Sequence, residues 1–337
     1  MIKTAFRIGT VLLLLGCVAL AGLAIDVRHF LSTSFEFGGD GVRYVIKPKD
    51  TVHSIANSLK SRSILSKPYY LIGLAKWKRV TGKIKVGEYK MPARITPEEF
   101  LDLLVSGDVI QHSLTLIEGW TFDEVLQAVN DNQNLTHTLN DYTVAEVMDR
   151  LGLAGEHPEG RFYPDTYHFT HGTTDLEFLK RCYRQMQTIL AKEWANRAKD
   201  LPLKTAYEAL ILASIIERET NVDAERAQVS GVFTRRLQRN MRLQTDPTVI
   251  YGLGKAFDGN IRRKDLRQDT PYNTYVHKGL PPTPIAMPGV KSIHAALHPD
   301  SGKSIYFVAK GNGAHYFSET LQEHNEAVRK YQLGGKR

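Results

Sequence analysis

Glu217 has the surroundings that acid–base chemistry requires. It closes the run Ala-Leu-Ile-Leu-Ala-Ser-Ile-Ile at 209–216, the most apolar helical stretch outside the N-terminus. A carboxylate at the end of a buried helix is poorly solvated and lies near the negative pole of the helix dipole. Both effects disfavour its ionised form, and a carboxyl group that keeps its proton near neutral pH can act as a general acid. The alternative is a structural glutamate that reaches solvent or pairs with a neighbour.

Two polar segments further along the chain could complete a site. In Gln-Thr-Asp-Pro-Thr at 244–248, the rigid Pro247 follows an amide, Gln244, and a carboxylate, Asp246. Such a turn can hold both groups in fixed positions, although a simple capped turn has the same composition. Pro-Tyr-Asn-Thr-Tyr at 271–275 adds amide and aromatic groups suited to sugar contacts.

No metal or cofactor site is expected. His294 and His298 are four residues apart and could share a helix face, but the sequence shows no third ligand beside them. Because a zinc site needs at least three protein ligands, structural or hydrogen-bonding roles are favoured for both histidines. The remaining chemistry is that of carboxylates.

The elements that position these residues indicate an α+β protein. Alternating strands and periodic helices, among them an expected helix over 68–77, follow one another from Val42 to Gly107. Helices dominate afterwards, including expected helices over 144–151, 175–198 and 223–239. A hairpin is predicted around Gly311-Asn-Gly313. The segment 44–56, Tyr-Val-Ile-Lys-Pro-Lys-Asp-Thr-Val-His-Ser-Ile-Ala, resembles the opening of a LysM module, a small glycan-binding fold.

The N-terminal segment predicts a membrane anchor. Residues 8–25 carry no charge and are rich in Leu, Val and Ala. This stretch of 18 residues is at the lower length limit for a membrane-spanning helix. Lys3 and Arg7 precede the apolar run and favour an N-terminus in the cytoplasm. A cleaved signal peptide and a lipoprotein site ending at Cys17 are the alternatives.

Composition restricts the partners. The chain has 337 residues, 42% hydrophobic and 24% charged, so it is globular, and its net charge of +8 favours acidic partners. The basic residues are scattered, and the basic stretch 76–90 has no nucleic-acid motif around it, so no nucleic-acid partner is expected. The two cysteines, Cys17 in the apolar N-terminal segment and Cys182 in an expected helix, are not expected to form a disulfide.

Six ordered blocks resemble the endolytic murein transglycosylase (YceG-like) family. They begin at Pro158-Glu-Gly-Arg-Phe-Tyr and continue through Ile211-Leu-Ala-Ser-Ile-Ile-Glu-Arg-Glu-Thr and Arg242-Leu-Gln-Thr-Asp-Pro-Thr. They end with Tyr272-Asn-Thr-Tyr, Gly279-Leu-Pro-Pro and Ala296-Leu-His-Pro. Ile117, in Leu-Ile-Glu-Gly-Trp at 116–120, stands where Pro is expected.

The resemblance implies a peptidoglycan lyase that cleaves internal MurNAc–GlcNAc bonds and leaves 1,6-anhydro ends. The catalytic glutamate of the family maps onto Glu217, which would serve as acid and then as base. Gln244 and Asp246 are then expected to position groups and stabilise charge, and Asn273 and Tyr275 to contact sugars. Glu219 lies about 200° further around the helix and should face away from Glu217.

The expected layout is a cytoplasmic segment (1–7), a transmembrane helix (8–25), a linker (26–41), a LysM-like module (42–110) and a catalytic domain (111–337). This layout puts the enzyme on the extracytoplasmic side of the inner membrane. There it would trim or terminate nascent glycan strands beside peptidoglycan synthases. The alternatives are a hydrolase, in which Asp246 or Asp223 activates water, and an inactive glycan-binding scaffold.

Overall fold

The structure, a computed structural model, describes residues 2–334. Met1, in the predicted cytoplasmic segment, and residues 335–337, at the end of the predicted catalytic domain, lie outside the described residues, as do the side chains of 2–6. The chain has the mixed α+β composition that the sequence predicts. It divides into two compact units, one of residues up to 112 with 168–172 and one of 113–167 with the residues from 173 onward.

The first unit begins with a long apolar helix and continues as a small α+β body. Its elements are α1 (Ile2–Ser32), β1 (Phe35–Glu36), β2 (Val42–Ile46), α2 (Val52–Ser61), α3 (Pro68–Trp77), β3 (Gly87–Met91), β4 (Arg94–Ile95) and α4 (Pro97–Ser106). β2 pairs antiparallel with β3, and β1 with β4. The core includes the fully buried Leu71, Tyr89 and Phe100.

Helix α1 is longer than the sequence predicts. The part Arg7–Ser32 is long and apolar enough to cross a membrane, and its large side chains from Ile8 to Ile25 are exposed. Residues 26–32, assigned above to a linker, continue the helix because no Pro or Gly interrupts them. Asp26 accepts hydrogen bonds of 2.6 Å from Lys67 and Tyr70, which join this end of α1 to α3.

The second unit contains most of the helices. The chain enters and leaves it within β5 (Gln111–Thr115) and β6 (Thr166–Thr170), which form one two-stranded sheet. Its other elements are α5 (Phe122–Asp131), α6 (Val144–Leu151), α7 (Asp175–Ala195), α8 (Ala206–Glu219), α9 (Arg226–Gln238), α10 (Asp246–Leu253), α11 (Val290–Leu297), β7 (Tyr306–Ala309), β8 (His315–Ser318) and α12 (Leu321–Tyr331).

Helix α8 forms the centre of this unit. Every residue from Ala209 to Ile216 is buried. A helix segment that is apolar on all faces is expected to be enclosed by other elements, and this segment is. Residues of α9 and α11, among them Phe233 and Ile293, pack in the same cluster. Ser214, the one hydroxyl in the run, accepts a hydrogen bond of 3.0 Å from the backbone N–H of Ile285. The helix therefore has a fixed position from which its last residues project.

Candidate active site

Glu217 is the last buried residue of α8. Thr205 caps the helix at its start by accepting a hydrogen bond from the backbone N–H of Glu208, and Thr220 ends it in an extended conformation. Glu217 is 6% exposed. Because the helix before it is enclosed, the position of this carboxylate is determined by the core.

Two donors hold the Glu217 carboxylate. Nη1 of Arg226, the first residue of α9, lies 3.0 Å from Oε1, and the backbone N–H of Gly289 donates to Oε2 over 2.8 Å. An Arg and a backbone N–H are both donors that stabilise negative charge. Each oxygen therefore has its own partner, and the orientation of the carboxylate is defined.

A second set of bonds holds Arg226. Its Nη1 also contacts the hydroxyl of Ser292, and its Nε donates to Asp223 over 3.2 Å. Asp223 also accepts a bond from Lys291, and this bond is the main cause that lowers the pKa of Asp223. Asp223 is therefore engaged with two cations. This arrangement does not favour it as the base of a hydrolase.

Glu118 brings a second carboxyl group to the site. A Cβ placed on Gly289 would lie only 1.8 Å from Oε1 of Glu118, so this oxygen occupies the space that the missing side chain leaves free. Burial and then the negative charge of Glu217 raise the pKa of Glu118. Two carboxyl groups, Glu118 and Glu217, therefore flank the same glycine and interact electrostatically.

Backbone bonds join the loop of Glu118 to the segment before α11. The N–H of Gly119 donates to the carbonyl of Met287 over 2.8 Å, and the N–H of Met287 donates to the carbonyl of Trp120 over 2.7 Å. Arg218 adds a bond of 3.1 Å to the carbonyl of Gly119. These contacts place Glu118 beside Gly289 and thus near Glu217.

The structure brings the other predicted residues together in a second group. The hydroxyl of Tyr275 donates to Asp246 over 2.6 Å, and the backbone N–H of Gln244 donates to the carbonyl of Thr274 over 3.2 Å. Asp246 begins α10, so only the residues before it form the turn that the sequence indicated. Asp246 and Gln244 are both exposed, which leaves them accessible to a ligand.

Asn273 is enclosed in its own loop. It is 1% exposed, and its side-chain nitrogen donates to the carbonyls of Asp265 and Gln268 while its oxygen accepts from the N–H of Tyr275. These bonds hold the loop that presents Tyr275. In this conformation Asn273 therefore supports the site from behind.

Glu219 connects the surroundings of Glu217 with the second group, which contains Gln244, Asp246 and Tyr275. Its carboxylate accepts a hydrogen bond of 2.8 Å from the hydroxyl of Thr245, between Gln244 and Asp246. Burial raises the pKa of Glu219 to about 7. Glu217 and Glu219 bind different partners, as expected for residues two positions apart on a helix.

A cavity of about 1050 Å³ adjoins the site and is bounded by residues of α5, α6 and α10. Arg218, directly after Glu217, is part of its wall, as are Tyr251 and Glu159. Glu159 is 4% exposed and accepts bonds of 2.9 Å from the N–H of Phe122 and 3.0 Å from the hydroxyl of Tyr251. Burial nevertheless raises the pKa of Glu159 to about 7. A cavity of this size can hold an extended ligand.

Comparison with known proteins identifies the family. The model of the YceG-like family matches residues 44–330, which is most of the chain. This chain belongs to the YceG-like family. The endolytic murein transglycosylase of Bacillus subtilis (strain 168) is 32% identical over 298 residues, which cover 83% of this chain and 82% of that protein.

Two further similar proteins have lower sequence identity to this chain. The endolytic murein transglycosylase of Streptococcus pneumoniae serotype 2 (strain D39) is 25% identical, over 91% of this chain and 62% of its own length. The crystal structure of a putative YceG-like protein from Listeria monocytogenes has a TM-score of 0.53 at 27% identity. That alignment covers 86% of this chain and 99% of the Listeria chain.

Three partners of Glu217 in this YceG-like chain were not assigned a role from the sequence. Arg226 is nine residues from Glu217 and Gly289 is 72 residues away, and Glu118 lies in a different part of the chain. The segment Glu118-Gly-Trp-Thr, a charged residue before a glycine and a helix cap, was the available signal for a functional loop. Only the packing of α8 against α11 shows which side chains converge.

Proposed function

We propose that this protein is an endolytic peptidoglycan lytic transglycosylase with Glu217 as its general acid and base. The observation that carries the proposal is the buried Glu217 carboxylate, held by Arg226 and Gly289 at the end of α8 and beside Glu118. The proteins named endolytic murein transglycosylase among its relatives support the substrate and the type of reaction.

The reaction follows from one carboxyl group acting twice. Glu217 gives its proton to the glycosidic oxygen as the bond from C1 of MurNAc to GlcNAc breaks. The C6 hydroxyl of the same MurNAc then attacks C1, and its proton passes to Glu217. The products are a GlcNAc end and a 1,6-anhydro-MurNAc end. The acid is regenerated and no water is consumed.

Glu118 has a supporting part in this proposal. Burial and the negative charge of Glu217 raise the pKa of Glu118, so Glu118 keeps its own proton to a higher pH than an isolated carboxyl group. We assign Glu118 as a positioning residue, and Gln244, Asp246 and Tyr275 as groups that contact the glycan.

Anchoring in the inner membrane is a further part of the proposal. A helix of 26 residues spans about 39 Å, more than the roughly 30 Å of a bilayer core. With Arg7 on the cytoplasmic side, the catalytic unit lies outside the cytoplasm. Cleavage near the membrane would terminate or trim new strands, in the vicinity of peptidoglycan synthases.

Residues 42–110 form the glycan-binding module of this proposal. The segment that resembles LysM lies in β2, the following turn and α2. Thr51 caps α2 with a reciprocal bond to Ser54, and Ile55, Ala56 and Leu59 face the core. The polar outer face of α2 remains available to a ligand.

A hydrolase is the second candidate function. The presence of Glu118 beside Glu217 favours it, because a second carboxylate could activate water, as in ordinary glycosidases. The chemical form of the new ends distinguishes the two reactions, since hydrolysis leaves reducing ends and the lyase leaves anhydro ends.

The test compares the full-length protein in detergent with Glu217→Gln on purified glycan strands, with product ends identified by mass spectrometry. We expect anhydro ends from the wild type and a loss of about 10²–10⁴-fold in the variant, the usual contribution of a general acid. The control is Glu326→Gln, on the exposed face of α12, which should remain active. An equally active Glu217→Gln variant contradicts the proposal.

A further inference from the structure

Three side chains that can bind a metal meet at the C-terminal end of α11. They are Glu193 from α7, His294 from α11 and His298, which caps that helix. The ligand atoms of all three lie within 4.8 Å of one another. The sequence shows His294 and His298 as a pair. Glu193 is 101 residues away from His294, and only the fold brings the two together.

The local geometry favours convergence of the three groups. Residues four apart on a helix share a face, and the rings of His294 and His298 are stacked with centroids 4.2 Å apart and planes inclined by 25°. Nδ1 of His294 lies 2.8 Å from Oε2 of Glu193. Two of the three side chains, Glu193 and His294, are therefore already in contact.

The two helices that carry the ligands are joined independently of the cluster. The N–H of Ala198, shortly after α7, donates to the carbonyl of Leu297 over 3.0 Å. The side chain of Glu193 is 15% exposed and that of His294 is 59% exposed. The ligand positions are thus held by backbone contacts, while the histidine side is open to an ion from solvent.

We propose that Glu193, His294 and His298 form a binding site for Zn²⁺, with water at the remaining position. Two imidazoles and a carboxylate are a preferred ligand set of this ion. Its bonds of about 2.0–2.2 Å place tetrahedral ligands about 3.3 Å apart. Rotation of the side chains closes the cluster to this spacing. The Glu–His hydrogen bond is replaced by two bonds to the ion.

The site has a structural consequence for α11. Its N-terminal end carries Ser292, which contacts Arg226, and follows Gly289, which binds Glu217. An ion at the opposite end ties α11 to α7 and thereby stabilises the helix that supports the catalytic carboxylate. Zn²⁺ bound at the C-terminal end of α11 takes no part in the proton transfers of Glu217.

The test uses the untagged full-length protein in detergent, stripped with a chelator that is then removed. We expect one Zn²⁺ per chain by elemental analysis after dialysis, and a higher unfolding temperature with Zn²⁺ than with Mg²⁺. His298→Ala and Glu193→Gln should each weaken binding by at least the 10–100-fold that loss of supporting ligand partners causes. His53→Ala, an exposed histidine on α2, should retain full binding.

Two results would overturn the site. One is the absence of bound Zn²⁺ in the wild type, which would leave the cluster as a hydrogen-bonded surface group. The other is equal binding by the double variant His294→Ala/His298→Ala. Because the readouts are metal content and unfolding temperature, they do not depend on whether the proposed glycan cleavage is correct.

Discussion

Glu118 sets the expected pH dependence of the reaction. Burial and the negative charge of Glu217 raise the pKa of Glu118, so Glu118 acquires its charge only at a higher pH than a free carboxyl group. Glu118→Gln removes this titration and keeps the shape of the side chain. We expect the alkaline limb of activity, where ionised Glu118 places a second negative charge beside Glu217, to flatten in the variant. The measurement is the pH–rate profile.

The control for that profile is Glu326→Gln, whose limb should coincide with that of the wild type. An unchanged limb in Glu118→Gln would show that this residue does not influence the essential proton. A large but incomplete loss of cleavage, with reducing ends in the residual product, would instead support the hydrolase.

Gly289 permits the close approach of Glu118. Its φ of −77° suits alanine, so Gly289→Ala should keep α11 folded, but the new Cβ overlaps Oε1 of Glu118. The flexible Glu118 side chain then swings away, and we expect activity to fall by about tenfold with little change in unfolding free energy. In a Glu118→Ala background the same change should have no further effect on the rate of glycan cleavage. An equal loss in both backgrounds would contradict this contact.

At the residue scale, prediction from sequence depends on local signals, and the role of Glu217 stays a prediction. Glu217 stands out because eight buried residues, seven of them apolar, precede it in one helix. Its donors are distant in sequence, and neither the apolar run nor any turn residue identifies them. Asn273 shows the converse: an amide in a polar, aromatic segment resembled a sugar contact, whereas the fold encloses it in hydrogen bonds.

At the scale of elements, Ser214 couples α8 to the segment before the site. Ser214→Ala leaves the N–H of Ile285 without its buried acceptor. We expect a loss of about 1–3 kcal/mol in unfolding free energy. Urea denaturation measures it. Ser61→Ala is the matched control: its hydroxyl also bonds three residues back on a helix, but it is exposed. Equal losses in the two variants would contradict the coupling.

The bounds of two helices were predicted to the residue, and those of three others were not. The bounds of α3 and α6 agree with the periodic patterns, with Pro68 and Thr143 at their starts. The long helix α7 ends three residues earlier than expected, and the first residues of the helix predicted from Asp223 form a 3₁₀ turn. Helix α12 lies in a mainly polar segment, and no expectation was formed for it.

At the scale of the whole molecule, the anchor is testable by location and mass. We expect the full chain to remain with membranes after alkaline carbonate extraction and to have the intact mass of the uncleaved sequence. Leu13→Arg with Leu20→Arg should release part of it, because each arginine at the centre of a spanning helix costs about 2.5–3.5 kcal/mol.

The matched control is Leu13→Val with Leu20→Val, which keeps the segment apolar and should stay in the membrane fraction. A mature protein that lacks the first residues of α1 would support a cleaved signal peptide instead. The sequence predicted the apolar segment from composition alone, but not that the helix continues to Ser32.

The central claim is that the substrate's own hydroxyl, and not water, completes the cleavage. The most direct measurement is digestion of glycan strands by the full-length protein in ¹⁸O-labelled water, followed by mass spectrometry of the new MurNAc ends. The account predicts ends lighter by one water than reducing ends and free of ¹⁸O. Reducing ends that carry ¹⁸O would contradict it and establish a hydrolase.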